Sequence, residues 1–246
     1  MIMTAPLLLC FVLVQPEPVP PVHTGMRTMV SALIQDIKSL PSKENLTIGI
    51  VGGGFAVGAL PLDSTINARA IGQSARTTRI FAPGQYIGDT PEQIAFSIGA
   101  WAFGRLMNKP RVAHLGMDLL RAQAVSEFLV EPIKFATHRE RPDGSNYQSF
   151  PSGHASVTFA AAAVLQRHLG WKRSLAAYAV ATYVAAARLQ ENRHYLSDVV
   201  FGAAVGTIAG RTVTRHGREN WTFVPIAVPG GGGIGLTKTF DVAGIP

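Results

Sequence analysis

The sequence predicts an all-α protein built as a single helical bundle domain. Three observations carry that expectation. Hydrophobic residues make up 47% of the 246-residue chain, and they recur at helical rather than alternating spacing. Charged residues make up only 15%, against about 25% in typical soluble domains. Short polar or proline-bearing breaks separate the apolar stretches, without an internal repeat. Apolar content this high excludes an intrinsically disordered chain. Cys10 is the sole cysteine, which excludes a disulfide scaffold.

The elements follow in order. Met29, Leu33, Ile34, Ile37 and Leu40 fall on one helical face, and Pro41 stops that helix. Leu46 to Leu62 carries no charge but holds Gly49, Gly52, Gly53, Gly54 and Gly58. A helix is expected there even though glycine costs about 1 kcal/mol against alanine. Asp63 to Gly88 is polar and rich in glycine and arginine, and is expected to be irregular. Thr90-Pro91-Glu92 opens a helix with a capping hydroxyl and a proline at the first position. That helix runs to about Met107 and is followed by one from Val112 to Ala136. Three more are expected near His154–Leu169, Lys172–Gln190 and His194–Thr214. After Gly217 the pattern breaks down, with a turn or tail at Gly230 to Gly233 and a short extended segment at the end.

The N-terminus is a separate object. Pro6 to Val14 is apolar. It is shorter than the roughly 20 residues needed to span a bilayer but long enough for the core of a secretory signal. Residues 1–21 are therefore read as an export segment, or a retained anchor, ending in a stiff proline-rich linker. Residues 22–217 form the helical domain, with a motif core at 111–215, and residues 218–246 form a Gly-rich tail. The charge-free windows Gln93–Gly104, Ala155–Gln166, Ser174–Ala187 and Val199–Gly210 all fall short of a span. This favours an exported, periplasmic or secreted bundle packed through Ala and Gly. A membrane-anchored or integral membrane protein is the alternative, since small residues also suit membrane helix contacts.

The chain carries 22 Lys and Arg against 15 Asp and Glu, a formal charge of +7. Nucleic acid is not expected as a partner, because there is no dense basic stripe, zinc-finger spacing or aromatic RNA-binding signature. Nothing identifies a homo-oligomeric interface.

Three blocks carry chemistry. In Lys134-Phe-Ala-Thr-His-Arg-Glu-Arg141-Pro142, Lys134 and Arg141 are two helical turns apart and can share a face before the proline ends the helix. Two such cations suit an oxyanion; taken alone, the block equally describes a solvated basic face. In Ser149-Phe-Pro-Ser152-Gly153-His154, Ser152 and Gly153 precede an apolar run. A helix N-terminus there is a natural phosphate cradle with His154 beside it, or else an ordinary serine cap. In Arg188-Leu-Gln-Glu-Asn-Arg-His194-Tyr-Leu-Ser-Asp198, His194 and Asp198 are helical neighbours. A carboxylate fixes the tautomer of an imidazole and directs its other nitrogen, although isolated surface His–Asp pairs are common.

Together the blocks resemble the type 2 phosphatidic acid phosphatases, a family that includes bacterial acid phosphatases and vanadium haloperoxidases. The family pattern is K-x6-R-P, then P-S-G-H, then S-R-x5-H-x3-D. This chain has Lys134, Arg141 and Pro142; Pro151 through His154; and Arg188, His194 and Asp198. It departs only at Ala187, where the family usually has serine. The resemblance implies that His194 attacks phosphorus to form a phosphohistidine, while Asp198 holds its ring. His154 then protonates the leaving alcohol and later activates water. Lys134, Arg141 and Arg188, with Ser152 and the Gly153 N–H, would hold the phosphoryl oxygens. No metal or other cofactor is implied; vanadate fits as a phosphate analogue. His138, Arg139 and Arg193 fall between the fixed positions and are expected to face water. Phe135, Tyr147, Phe150 and Tyr195 are candidates for the pocket wall.

The function expected is metal-independent hydrolysis of phosphomonoesters or pyrophosphates, with a phosphorylated small molecule or a lipid phosphate as substrate. A vanadate-dependent haloperoxidase is the second reading, disfavoured by the short gap from Asp143 to Phe150. A non-catalytic phosphate-binding bundle is the third, disfavoured by the presence of both histidines and Asp198.

Overall fold

The computed structural model describes residues 25–71, 74–215, 219–228 and 231–240. The expected export segment and linker of residues 1–21 lie outside the described residues. The described helices are α1 (Met26–Ser39), α2 (Lys43–Ala59), α3 (Asp63–Ala70), α4 (Ala75–Ile87), α5 (Thr90–Leu106), α6 (Pro110–Thr137), α7 (Gly153–Leu169), α8 (Trp171–Gln190) and α9 (Leu196–Val213). A single 3-10 turn, Leu60–Leu62, joins α2 to α3. Strands β1 (Glu219–Val228) and β2 (Gly231–Phe240) pair antiparallel, with Glu219 opposite Phe240 and Val228 opposite Gly231. The all-α expectation holds for the bundle, and part of the expected tail is this hairpin.

Two small-residue stripes set the core. On α9, Gly202, Gly206 and Gly210 lie one turn apart against the α7 backbone. A Cβ at 206 would sit 2.0 Å from the Ser156 carbonyl oxygen, and one at 210 would sit 2.4 Å from that of Ala160. On α2, a Cβ at Gly52 would sit 2.2 Å from that of Ala204. The glycines that cost helix propensity thus let three backbones approach closely. Leu119, Ala122 and Val125 of α6, Ala160 and Val164 of α7, and Ala209 and Val213 of α9 fill the centre.

Within the segment expected to be irregular, Asp63 to Gly88, the described residues form the two helices α3 and α4. Ser74 caps α4 by accepting the Thr77 N–H at 3.2 Å, and Gly84 lets α4 lie against Ala187 of α8. Burial of one face against α8 and α9 overrides the weak local propensity. The last helix starts at Leu196, so His194 lies outside it.

Two described helices also meet the length and apolarity that the membrane alternative requires. The run Lys43–Ala70 is continuous through the 3-10 turn. It is long and apolar enough to cross a membrane, with only 22% of its most apolar window buried. Leu196–Val213 meets the same test with 56% buried. Reading α2 as ending at Leu62 concealed the first of these. Leu46, Ile50, Phe55 and Val57 of α2, Phe96 and Phe103 of α5, and Leu175 and Val180 of α8 all point outward. Outward-facing apolar side chains of this kind suit a bilayer or a partner surface.

Candidate active site

α6 and α8 end, and α7 and α9 begin, at one end of the bundle, where the three blocks converge. Ser152 caps α7, its Oγ accepting the Ala155 N–H at 3.4 Å, and its own N–H donates to the Asp198 carbonyl at 3.0 Å. Gly153 opens the helix; a Cβ there would lie 3.4 Å from Lys134 Nζ, so the ammonium sits over the helix N-terminus. Lys134, Arg141, Gly153, His154 and His194 line one cavity of about 510 Å³, closed on the other side by Pro91, Ile94, Glu127 and Glu131. Ser152, Arg188 and Asp198 are buried.

The route by which Arg141 arrives differs from the expectation. α6 stops at Thr137, and His138 takes a left-handed conformation as its C-cap. Arg141 therefore sits in the following loop rather than on the helical face of Lys134. Its N–H donates to the Asn146 carbonyl at 2.9 Å. Arg193 pins that loop through Asp143 at 3.0 Å.

His194 is held differently as well. Its Nδ1 lies 2.7 Å from the Ser149 carbonyl oxygen and 3.7 Å from Asp198 Oδ2. A carbonyl only accepts, so Nδ1 carries the proton and Nε2 keeps its lone pair. Asp198 acts one step back. Its Oδ2 accepts from Ser149 Oγ at 2.6 Å and from the Tyr195 N–H at 2.7 Å. Its Oδ1 accepts from Arg139 Nη1 at 2.7 Å.

Arg139, expected to face water, is the hub of this arrangement. It also donates to Ser197 Oγ at 2.7 Å and Asp63 Oδ2 at 2.8 Å, and its guanidinium lies 4.2 Å from the Tyr195 ring centroid. Asp63 in turn accepts the Ser197 N–H at 2.9 Å. Asn67 reaches Asn192 at 3.1 Å and the His194 carbonyl at 3.4 Å. α3 thereby positions the loop that carries His194. Sequence reasoning missed Arg139, Ser149, Asp63 and Asn67. Ser149 and Arg139 lie inside the quoted blocks, but nothing in the sequence showed which way they point.

None of the four aromatic wall candidates lines the cavity. Phe135 is 89% exposed, Tyr147 stacks on His138 at 4.7 Å, Phe150 stacks on Phe201 at 4.9 Å, and Tyr195 lies under Arg139.

Electrostatics keep both imidazoles neutral. Burial pushes His194 below the ordinary histidine value, against the pull of Asp198. His154 is lowered to about 3, first by burial and then by Arg188, His194, Arg141 and Lys134. His154 Nε2, Arg141 Nε and Arg188 Nε are buried without a hydrogen-bond partner. Two of the cations meet carboxylates three residues away: Lys134 meets Glu131 at 2.7 Å, and Arg188 meets Glu191 at 2.5 Å.

Cations and a helix N-terminus around a neutral, oriented imidazole make a site suited to a tetrahedral oxyanion. Residues 115–221 match the model of the PAP2 superfamily, a range that contains all three blocks. The chain is 40% identical over 99 residues to a Lipid A 1-phosphatase of Porphyromonas gingivalis, covering 39% of this chain and 21% of that protein. It is 36% identical over 80 residues to a putative phosphatidate phosphatase of Drosophila melanogaster, covering 28% and 21%. The chain thus spans about a fifth of the length of these curated relatives. Among solved structures it resembles a transmembrane PAP2 type phosphatidylglycerolphosphate phosphatase from Bacillus subtilis. The TM-score is 0.49 and the identity 18%, over 77% of this chain and 96% of that one.

Proposed function

We propose that this protein is a membrane-embedded lipid phosphate phosphatase working through a phosphohistidine. The observation that carries the reading is the neutral His194, its Nδ1 proton held by the Ser149 carbonyl, in a cavity shared with Lys134, Arg141 and His154. In the first step His194 Nε2 attacks phosphorus. The N–P bond forms as the P–O bond to the alcohol breaks, and His154 gives its proton to the departing oxygen. In the second step His154 takes a proton from water, water attacks phosphorus, the N–P bond breaks and inorganic phosphate leaves. Lys134, Arg141, Arg188 and the Gly153 N–H offset the charge that develops on the phosphoryl oxygens, which calls for no metal. A bound phosphate dianion opposes the Arg188, Arg141 and Lys134 charges, which after burial contribute to the depression of His154. Vanadate, as a phosphate analogue, would occupy the same cradle.

The lipid class is supported by the outward-facing apolar residues and by the similarity to a Lipid A 1-phosphatase and a putative phosphatidate phosphatase. The spans in this reading are Lys43–Ala70 and Leu196–Val213, with the cradle at the bundle end where headgroups lie.

The test is phosphate release from phosphatidate in detergent micelles with excess chelator. Wild type is expected to be active. His194→Ala is expected to lose at least about 10³-fold, in line with loss of a covalent nucleophile. His154→Ala is expected to lose activity as well, since both steps use this imidazole. Equal turnover by His194→Ala would overturn the mechanism, and halide oxidation with peroxide and vanadate in place of hydrolysis would overturn the activity.

A further inference from the structure

At the other end of α6 lies a second polar cluster that the candidate active site does not use. His114 and Asp118 stand one turn apart on α6, and His168 reaches them from the last turn of α7. His168 Nε2 is 2.8 Å from Asp118 Oδ2, and His114 Nε2 is 3.5 Å from Asp118 Oδ1. The three ligand atoms all lie within 4.8 Å of one another. Sixteen residues of helix, about 24 Å at 1.5 Å per residue, separate Asp118 from Lys134.

We propose that His114, Asp118 and His168 form a binding site for a divalent transition metal ion of the zinc type, stapling α6 to α7. Bonds of about 2.0–2.1 Å in a tetrahedron place ligand atoms about 3.3 Å apart; the two imidazoles stand 2.8 and 3.5 Å from different oxygens of Asp118, so small side-chain rotations bring one atom of each residue onto a shared ion. Two imidazoles and one carboxylate are a borderline-soft set that suits zinc, nickel or copper rather than magnesium or calcium. The carboxylate is already oriented from behind. Arg121 Nη2 lies 3.2 Å from Asp118 Oδ1 and donates to the Val213 carbonyl at 2.7 Å. Arg121 Nε lies 3.1 Å from Asp36 Oδ2. Arg121 is thereby shared between Asp118 and Asp36. Asp118 is buried, whereas 37% of the His114 side chain and 18% of the His168 side chain are exposed. The cluster is closed on the protein side and open to solvent for entry and for a water as fourth ligand. On binding, His168 gives up its hydrogen bond to Asp118 and carries its proton on Nδ1, which leaves the Nε2 lone pair for the ion.

The test is equilibrium dialysis of the full chain in detergent against Zn²⁺ alone, with elemental analysis. Wild type is expected to bind one ion at this cluster, with no competition from excess Mg²⁺. His114→Ala and His168→Gln are expected to bind at least about 100-fold more weakly, since even loss of an outer partner costs 10–100-fold. The glutamine amide keeps a hydrogen bond to Asp118, which protects the fold. His138→Ala, His154→Ala and His194→Ala, which alter the other described histidines outside the cluster, are expected to bind zinc as wild type. Zn²⁺ should raise the unfolding temperature of wild type and leave that of His168→Gln unchanged. Absence of bound zinc in wild type, equal binding by the His114 and His168 variants, or loss of binding in His154→Ala would overturn the proposal. None of these readouts depends on phosphatase activity.

Discussion

Arg139→Ala is the sharpest probe of the candidate site. The guanidinium joins two carboxylates, Asp63 and Asp198, that are themselves almost wholly buried, and it keeps 26% of its own side chain exposed. Breaking a buried ion pair costs about 3–5 kcal/mol, because one charge is left uncompensated. Two features pull this toward the lower end. Water reaches the exposed part of Arg139, and each carboxylate keeps other donors, Ser197 for Asp63 and Ser149 and Tyr195 for Asp198. A loss of about 3 kcal/mol corresponds to a fall of about 6–12 °C in unfolding temperature for a chain of this size. Arg139→Lys keeps a charge but not the fork, and should lose about one charge-assisted bond, or about 1.5–3 kcal/mol. There is also a signature that a merely structural residue would lack. Without Arg139, more of the Asp198 charge acts on His194 at 3.7 Å, so the His194 pKa rises. The acid limb of kcat/KM then moves to higher pH. Thermal unfolding in micelles and a pH–rate profile read both effects. Unchanged melting with an unchanged acid limb would return Arg139 to the solvent-facing role expected from sequence.

Two further outcomes follow from the same geometry. Gly206→Ala places a methyl 2.0 Å from the Ser156 carbonyl oxygen; it should cost about 1–3 kcal/mol by overpacking, whereas Gly54→Ala, with nothing within 4 Å, should be neutral or stabilising when both are melted side by side. Stability should also decline on acidification: His154 and His194 are depressed in the folded state, so below the ordinary value of about 6.5 the unfolded chain binds protons that the folded chain does not, and melting temperature should drop as pH falls from about 6.5 toward 3, with His154→Gln flattening the slope.

The bundle helices were legible because their apolar spacing is local. So were the three blocks that meet at one cavity, because their order and spacing are properties of the chain. What escaped was set by contacts distant in sequence. Asp63 to Gly88 reads as polar and glycine-rich, yet Asp63 meets Arg139 and Ser197, and Gly84 meets Ala187. His194 and Asp198 were expected to pair as helical neighbours. The chain bends between them at Tyr195, so the imidazole proton goes to a backbone carbonyl of the preceding block, and Asp198 organises the donors around it. A spacing of four residues brings two side chains close; it does not decide which acceptor wins.

The charge deficit has the same kind of explanation, and it yields the experiment that decides the solvent of this bundle. Of the few charges available, Asp36, Asp63, Asp118, Arg121, Arg188 and Asp198 are buried and serve the internal networks. They do not solvate the surface. The outward face of α2 instead carries Phe55, 68% exposed, and Val57, 65% exposed. In water, Phe55→Lys would be a surface substitution worth within about 0.5 kcal/mol, and it would improve solubility. In a bilayer, a lysine near the middle of a span costs about 2.5–3.5 kcal/mol on insertion scales. The residue lies near the centre of the Lys43–Ala70 run, where snorkelling reaches the interface least easily. Expressed with its membrane fraction separated, Phe55→Lys should therefore yield several-fold less folded protein than wild type, while Arg69→Lys, at the end of the run, should match it. Wild-type yield from Phe55→Lys, together with a monodisperse chain in detergent-free buffer, would restore the soluble reading.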